Sequence, residues 1–85
     1  MPGSQLTPER LHKRLGRIFS KTFPDLDPHS VQTATMERVP AWDSIATLTL
    51  FMQCEEDFGI KIGYDRIAET KSYQDLFRLV ESAAG

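Results

Sequence analysis

Eighty-five residues carrying ten bases and twelve acids, with a formal charge of −2, describe one small domain near the size at which a single core only just suffices. A chain this short cannot easily enclose a deep reaction pocket as well as a core, so a carrier, adaptor or subunit is expected rather than an autonomous enzyme. Cys54 is the only cysteine, which excludes an internal disulfide and a thiolate zinc site; without an apolar h-region or spanning run, a soluble, cytoplasmic protein with no membrane contact is expected.

Residues 1–5 are expected to be flexible, within a single domain covering 1–85. Thr7-Pro8-Glu9 then supplies an N-cap, a proline at the first helical position and an acid in the first turn, which predicts a helix to about Thr22. Leu11, Leu15, Ile18, Phe19 and Thr22 form its apolar stripe, and Arg10, Lys13, Arg14, Arg17 and Lys21 gather on roughly the opposite side. That basic row suits phosphate or an acidic partner, but a solvated face is the simpler reading of it. His12 is expected to be exposed, with no second ligand nearby.

From Phe23 to Trp42 three prolines punctuate the chain, at Pro24, Pro28 and Pro40, and predict a loop of about twenty residues, longer than compact domains usually hold without function or internal structure. Phe23, Leu26, Val31, Met36 and Val39 are spaced as anchors, and Asp27-Pro28-His29-Ser30 suits one short turn. The length suggests a crossover between the first two long helices, since an antiparallel return needs far fewer residues. Trp42 is expected to pack over the next helix start and fix the angle at which the chain enters it. His29 receives no catalytic role.

Asp43 to Phe58 contains neither Gly nor Pro, with Asp43 a good N-cap and Gly59 a good left-handed C-terminal stop, so a helix is predicted. If Asp43 caps, Ser44 occupies the first helical position with a free hydroxyl, where the positive end of the helix favours an anion. The alternative is a double cap in which Ser44 itself caps. On a wheel of about 100° per residue, Ile45, Leu48 and Met52 lie together, while Leu50, Phe51, Cys54 and Phe58 cluster on the other side. Glu55 and Glu56 edge the first stripe, which suits docking on a basic, partly apolar partner; burial of both sides inside the domain is an equally simple account.

Ile60-Lys61-Ile62 reads as a connector whose isoleucines enter the core, and Tyr64 to Glu69 as one or two helical turns with Ile67 inward. Ser72-Tyr73-Gln74-Asp75 resembles a capping box and opens a last helix to about Ser82, with Tyr73, Leu76, Phe77 and Val80 buried and Ala83-Ala84-Gly85 frayed. Between Phe23 and Ile60 there are seven acids, Asp25, Asp27, Glu37, Asp43, Glu55, Glu56 and Asp57, against Arg38. This acidic middle argues against a nucleic-acid partner and for basic protein partners.

Asp43-Ser44-Ile45, the Leu48-x-Leu50-x-Met52 spacing and Glu55-Glu56-Asp57-Phe58-Gly59-Ile60-x-Ile62 together resemble the acyl carrier protein family and its peptidyl and aminoacyl relatives. The likeness extends from about Leu6 to about Ala83. It implies an all-α, four-helix bundle of three longer helices and one short one, with a long loop between the first two. It further implies a non-catalytic, monomeric carrier whose Ser44 receives 4′-phosphopantetheine from coenzyme A through a Mg²⁺-dependent phosphopantetheinyl transferase. Asp43 would orient Ser44 or contact the magnesium ion during transfer, and no metal would stay bound. Ile45, Leu48, Met52, Glu55 and Glu56 would form the partner face.

The Trp42-Asp43-Ser44 form, reached through Val39-Pro40-Ala41, looks more like stand-alone carriers of dedicated fatty-acid, polyketide or nonribosomal-peptide pathways. Such a carrier would work with its own acyl- or aminoacyl-activating ligase and downstream biosynthetic enzymes. The competing expectation is a helical interaction module without a prosthetic group. A hydrolase using Ser44 is a poor third, because an adjacent Asp-Ser pair leaves no room for an intervening imidazole and no Gly-x-Ser-x-Gly elbow is present.

Overall fold

The computed structural model describes residues 7–84. The expectations for residues 1–5 and for fraying at Gly85 fall outside them. Helix α1 spans Pro8–Thr22, α2 Ser44–Phe58 and α3 Tyr73–Ala84, and two 3-10 helices lie between them, at Pro28–Thr33 and Tyr64–Glu69. The fold is all-α. Among the described residues the only β-type pairing is an isolated antiparallel bridge between Thr35 and Ser72. Where one short helix was expected there are two, because the Asp27 turn continues to Thr33.

The helix limits follow from local chemistry. Thr7 Oγ1 accepts the Arg10 N–H at 3.3 Å and Pro8 opens α1. Ser72 Oγ accepts the Asp75 N–H at 3.0 Å, and the Asp75 carboxylate reaches back to the Lys71 N–H at 3.1 Å, one residue earlier than in an ordinary capping box. Helix α3 continues through Ala84, so Ala83 and Ala84, expected to fray, are helical. Alanine is the best helix former, and nothing before Gly85 interrupts the turn.

The core is one cluster shared by all three helices. Leu11, Leu15 and Phe19 of α1 meet Leu50, Phe51 and Cys54 of α2 and Tyr73, Leu76 and Val80 of α3, with Trp42 and Ile62 completing it. At about 25 cal/mol per Å² of apolar surface removed from water, side chains of this size are worth roughly 1.5–3 kcal/mol each, so this cluster sets the stability of so small a domain.

Contacts along the helices give their directions. Phe19, near the end of α1, sits with its ring centroid 5.4 Å from that of Trp42, just before α2, whereas Arg14 pairs with Asp57 at the far end of α2. The two helices therefore run antiparallel, and the crossover expected from the loop length is not present. Tyr73 meets Phe19 and Phe77 meets His12, so α3 also opposes α1.

Packing accounts for the length of the 23–42 loop. Asp27 Oδ1 caps the first 3-10 helix through the His29 N–H at 2.9 Å. Phe23, Val31, Ala34, Val39 and Trp42 are buried, and Leu26 and Met36 pack against the core. The Met36 N–H donates to Lys71 O and the Tyr73 N–H to Ala34 O, which ties the loop to the start of α3. Among the described residues no buried side-chain nitrogen or oxygen lacks a partner.

His12 departs from its expected exposure. Its Nδ1 lies 2.8 Å from the Tyr73 hydroxyl and its ring stacks on Phe77 with centroids 4.1 Å apart. The ring is a partly buried link between α1 and α3, at the edge of the α1 stripe, where a polar aromatic side chain can pack its face and keep its nitrogen paired.

Candidate functional site

The start of α2 is held by a short relay. Asp43 has extended backbone geometry, with φ −124° and ψ −170°, and its Oδ1 accepts the Ala46 N–H at 2.9 Å. The Asp43 carbonyl accepts both the Thr47 N–H and the Thr47 hydroxyl at 3.0 Å. Thr47 Oγ1 in turn accepts the indole N–H of Trp42 at 2.8 Å. Trp42 is buried against Phe19 and Phe23, so the first turn of α2 is tied into the aromatic core. The cap role falls to Asp43, not to Ser44.

Ser44 is thereby exposed at the first position of α2, and among the described residues its hydroxyl has no hydrogen-bond partner. The N–H groups of Ser44 and Ile45 have no helical acceptor at this end and are unpaired among the described residues. An exposed hydroxyl beside two free N–H groups and the positive helix end can carry, and be stabilised with, an anionic substituent.

The two stripes of α2 separate cleanly. Leu50, Phe51 and Cys54 are fully buried with Thr47, while Ile45 is 75% exposed, Met52 is 54% exposed and Leu48 is half-buried. Tyr64 is also half exposed, its ring 6.4 Å from that of Phe51, and it extends the exposed apolar surface beyond α2. Phe58, placed by the wheel with the buried set, is only partly buried and lies under the Arg14 guanidinium, 4.6 Å from its ring centre.

The two expected edging carboxylates differ. Glu55 uses both oxygens inside the domain: Oε2 accepts the Ile62 N–H at 2.9 Å and Oε1 the Tyr64 hydroxyl at 3.1 Å. The hydrogen bond to Glu55 raises the Tyr64 phenol above its ordinary value, with lesser contributions from desolvation and the Glu55 charge. Glu55 is therefore a tether for the connector after α2. Glu56 is exposed and has no ion pair among the described residues.

Cys54 is fully buried beneath the site. Desolvation first, then the charges of Asp57 and Glu55, push its thiol from 9.0 to about 12, so at neutral pH it is a small apolar filler. Among the described residues no three His, Cys, Asp or Glu side chains converge as metal ligands, and no helix is long and apolar enough to cross a membrane. No protein-family model, curated protein or solved structure matches this chain.

Two residues of the site were not singled out from the sequence. Thr47 carried a usable signal: a threonine four residues after a capping aspartate can bond back to its carbonyl. Tyr64 carried none, because its place beside Glu55 depends on how the connector folds back.

Proposed function

We propose that this chain is a carrier protein of the acyl carrier type, with Ser44 as the attachment point for 4′-phosphopantetheine. The observation that carries the proposal is the exposed, unpartnered Ser44 hydroxyl at the start of a helix whose capping is done by Asp43. The all-α arrangement supports it, with Tyr64–Glu69 serving as the short fourth helix of a carrier bundle and Pro28–Thr33 as structure within the long loop.

The residues present fit a phosphodiester at this position: the oxygen is accessible, two N–H donors are free, and the rigid Trp42-Thr47-Asp43 relay keeps the turn in place. A serine hydroxyl needs a base, which would be supplied with Mg²⁺ by a phosphopantetheinyl transferase. Ser44 Oγ gives up its proton, bonds to phosphorus of the coenzyme A pyrophosphate, and the adenosine bisphosphate leaves on the broken P–O bond. Asp43 orients Ser44 by capping the turn and is exposed to contact the metal. Once attached, the group supplies a terminal thiol on which acyl or aminoacyl cargo is held as a thioester.

The strip of exposed Ile45 and Met52 with half-buried Leu48 between them, with Glu56 free at its edge, is the face offered to the transferase and to a pathway ligase and downstream enzymes. Glu55 contributes by holding the 60–64 connector beside that strip.

Incubation with coenzyme A and a broad-specificity transferase, followed by intact-mass measurement, tests this. A gain of one phosphopantetheine that disappears in Ser44→Ala is expected; no gain, or a gain that survives the substitution, overturns it. A second reading, a binding module without a prosthetic group, is favoured only by the exposed Ile45, Met52 and Tyr64, which need no Ser44 to bind. It requires Ser44→Ala to leave function intact while Leu48→Asp abolishes partner binding.

A further inference from the structure

We infer that the outer ridge of α1 is a second docking surface, for an acidic helical segment of a partner protein. Arg10, Lys13, Arg17 and Lys21 are all exposed, and none makes an ion pair among the described residues. At 1.5 Å of rise and about 100° per residue they form a band about 16 Å long within about 80° of the helix circumference, three or four residues apart. Arg14, the fifth base of α1, is engaged with Asp57 and Phe58 and does not belong to the free row.

Two small residues, Gly16 and Ser20, lie beside the row and help to line a surface depression, together with Lys13, Arg17 and Lys21. A Cβ added at Gly16 would meet no atom within 4 Å, so the space over this part of α1 is open and a second backbone can come close to the bases.

The surroundings select the occupant. Glu9 adjoins Arg10 and Asp57 helps to line the depression, so a phosphate polymer wide enough to reach past the row would meet like charge, whereas carboxylates confined to one face of a helix can stay over the bases. The exposed large apolar residues, Ile45, Met52 and Tyr64, all lie off α1, so nothing beside the bases would insert into a membrane surface. A helix with carboxylates along one face matches the row in width, spacing and sign. None of the row's residues belongs to the α2 strip, so this surface stands whether or not Ser44 is modified.

The test is an amide chemical-shift titration of the whole chain with a synthetic helical peptide bearing glutamates on one face at three- and four-residue spacing. A peptide of the same composition with glutamates distributed around the helix, duplex DNA and phosphatidylserine vesicles serve as comparisons. Binding of the one-faced peptide should shift amides around Lys13, Gly16, Arg17 and Ser20, weaken with salt, and fall about tenfold in the double variant Lys13→Glu, Arg17→Glu. Both positions are exposed, so unchanged thermal unfolding is expected; Lys13→Gln with Arg17→Gln gives the same comparison without introducing repulsion. No binding of the one-faced peptide, equal binding of the two peptides, or unchanged binding by both double variants overturns the inference. Tighter binding of DNA or vesicles through the same residues overturns it in favour of those partners.

Discussion

Helices α1 and α2 have the same length, fifteen residues each, and both bury one stripe in the common core, yet their outer sides are built on opposite principles. Opposite Leu11, Leu15 and Phe19, α1 presents a row of bases. Opposite Leu50, Phe51 and Cys54, α2 presents Ile45, Leu48 and Met52. Folding explains the inner stripe of each helix. It does not explain apolar side chains left in water, from Ile45 to Met52, along the helix whose first turn also holds a free hydroxyl and two free N–H groups, and that surplus is what points to binding at α2.

The contrast can be broken most sharply at adjacent residues of α2. Phe51→Ala should cost about 3–5 kcal/mol and leave much of so small a domain unfolded, whereas Met52→Ala should stay within about 0.5 kcal/mol, both read by urea denaturation. If Met52→Ala costs as much as Phe51→Ala, the outer strip belongs to the core and the assignment of a partner face fails.

Alkaline titration probes chiefly the buried side, with the exposed Tyr64 phenol, raised by Glu55, adding to it. Burial raises Cys54 from 9.0 to about 12, and Tyr73 from 10.0 to about 12 by desolvation first and the nearby Cys54 second. Both groups hold their protons more tightly when folded. Their contribution is fully present below about pH 9 and should be lost as pH rises from there toward 12, visible as a falling melting temperature. Cys54→Ala should remove the earlier part of that decline. For the same reason Cys54 should resist thiol reagents until the protein unfolds.

Smaller effects sharpen the reading of individual polar groups. Thr47→Val leaves the buried Trp42 indole N–H without its acceptor and should cost about 1–3 kcal/mol by thermal unfolding, with slower loading of Ser44 as its second readout. Glu55→Ala should cost about 1 kcal/mol and speed hydrogen exchange at the Ile62 amide, while Glu56→Ala should do neither. Equal responses at the two glutamates would return Glu55 to the solvent-facing edge.

The helices were legible because their signals are local: Thr7-Pro8, Asp43, Gly59 with φ 65° and Ser72 mark their ends within a turn. The anchors of the 23–42 loop were legible too, since apolar residues between prolines have few places to go but inward. Helix direction was not, because loop length alone does not separate a parallel crossover from an antiparallel return padded with a 3-10 helix. Nor were the separate duties of Glu55 and Glu56, which depend on how the connector after Gly59 folds back, or the pairing of His12 with Tyr73, which joins residues far apart along the chain. At the candidate site, the position of Ser44 followed from its neighbours in sequence, whereas the relay through Trp42 and Thr47 that fixes it required the fold.

The burial of Trp42 gives this domain its own spectroscopic reporter. It is the sole indole in the chain, wedged between two phenylalanines and bonded to the helix that bears Ser44. Its fluorescence should be blue-shifted in the native protein and move to longer wavelength on denaturation. Events at the tip of α2 can thus be followed by light, with no dye attached and no residue replaced.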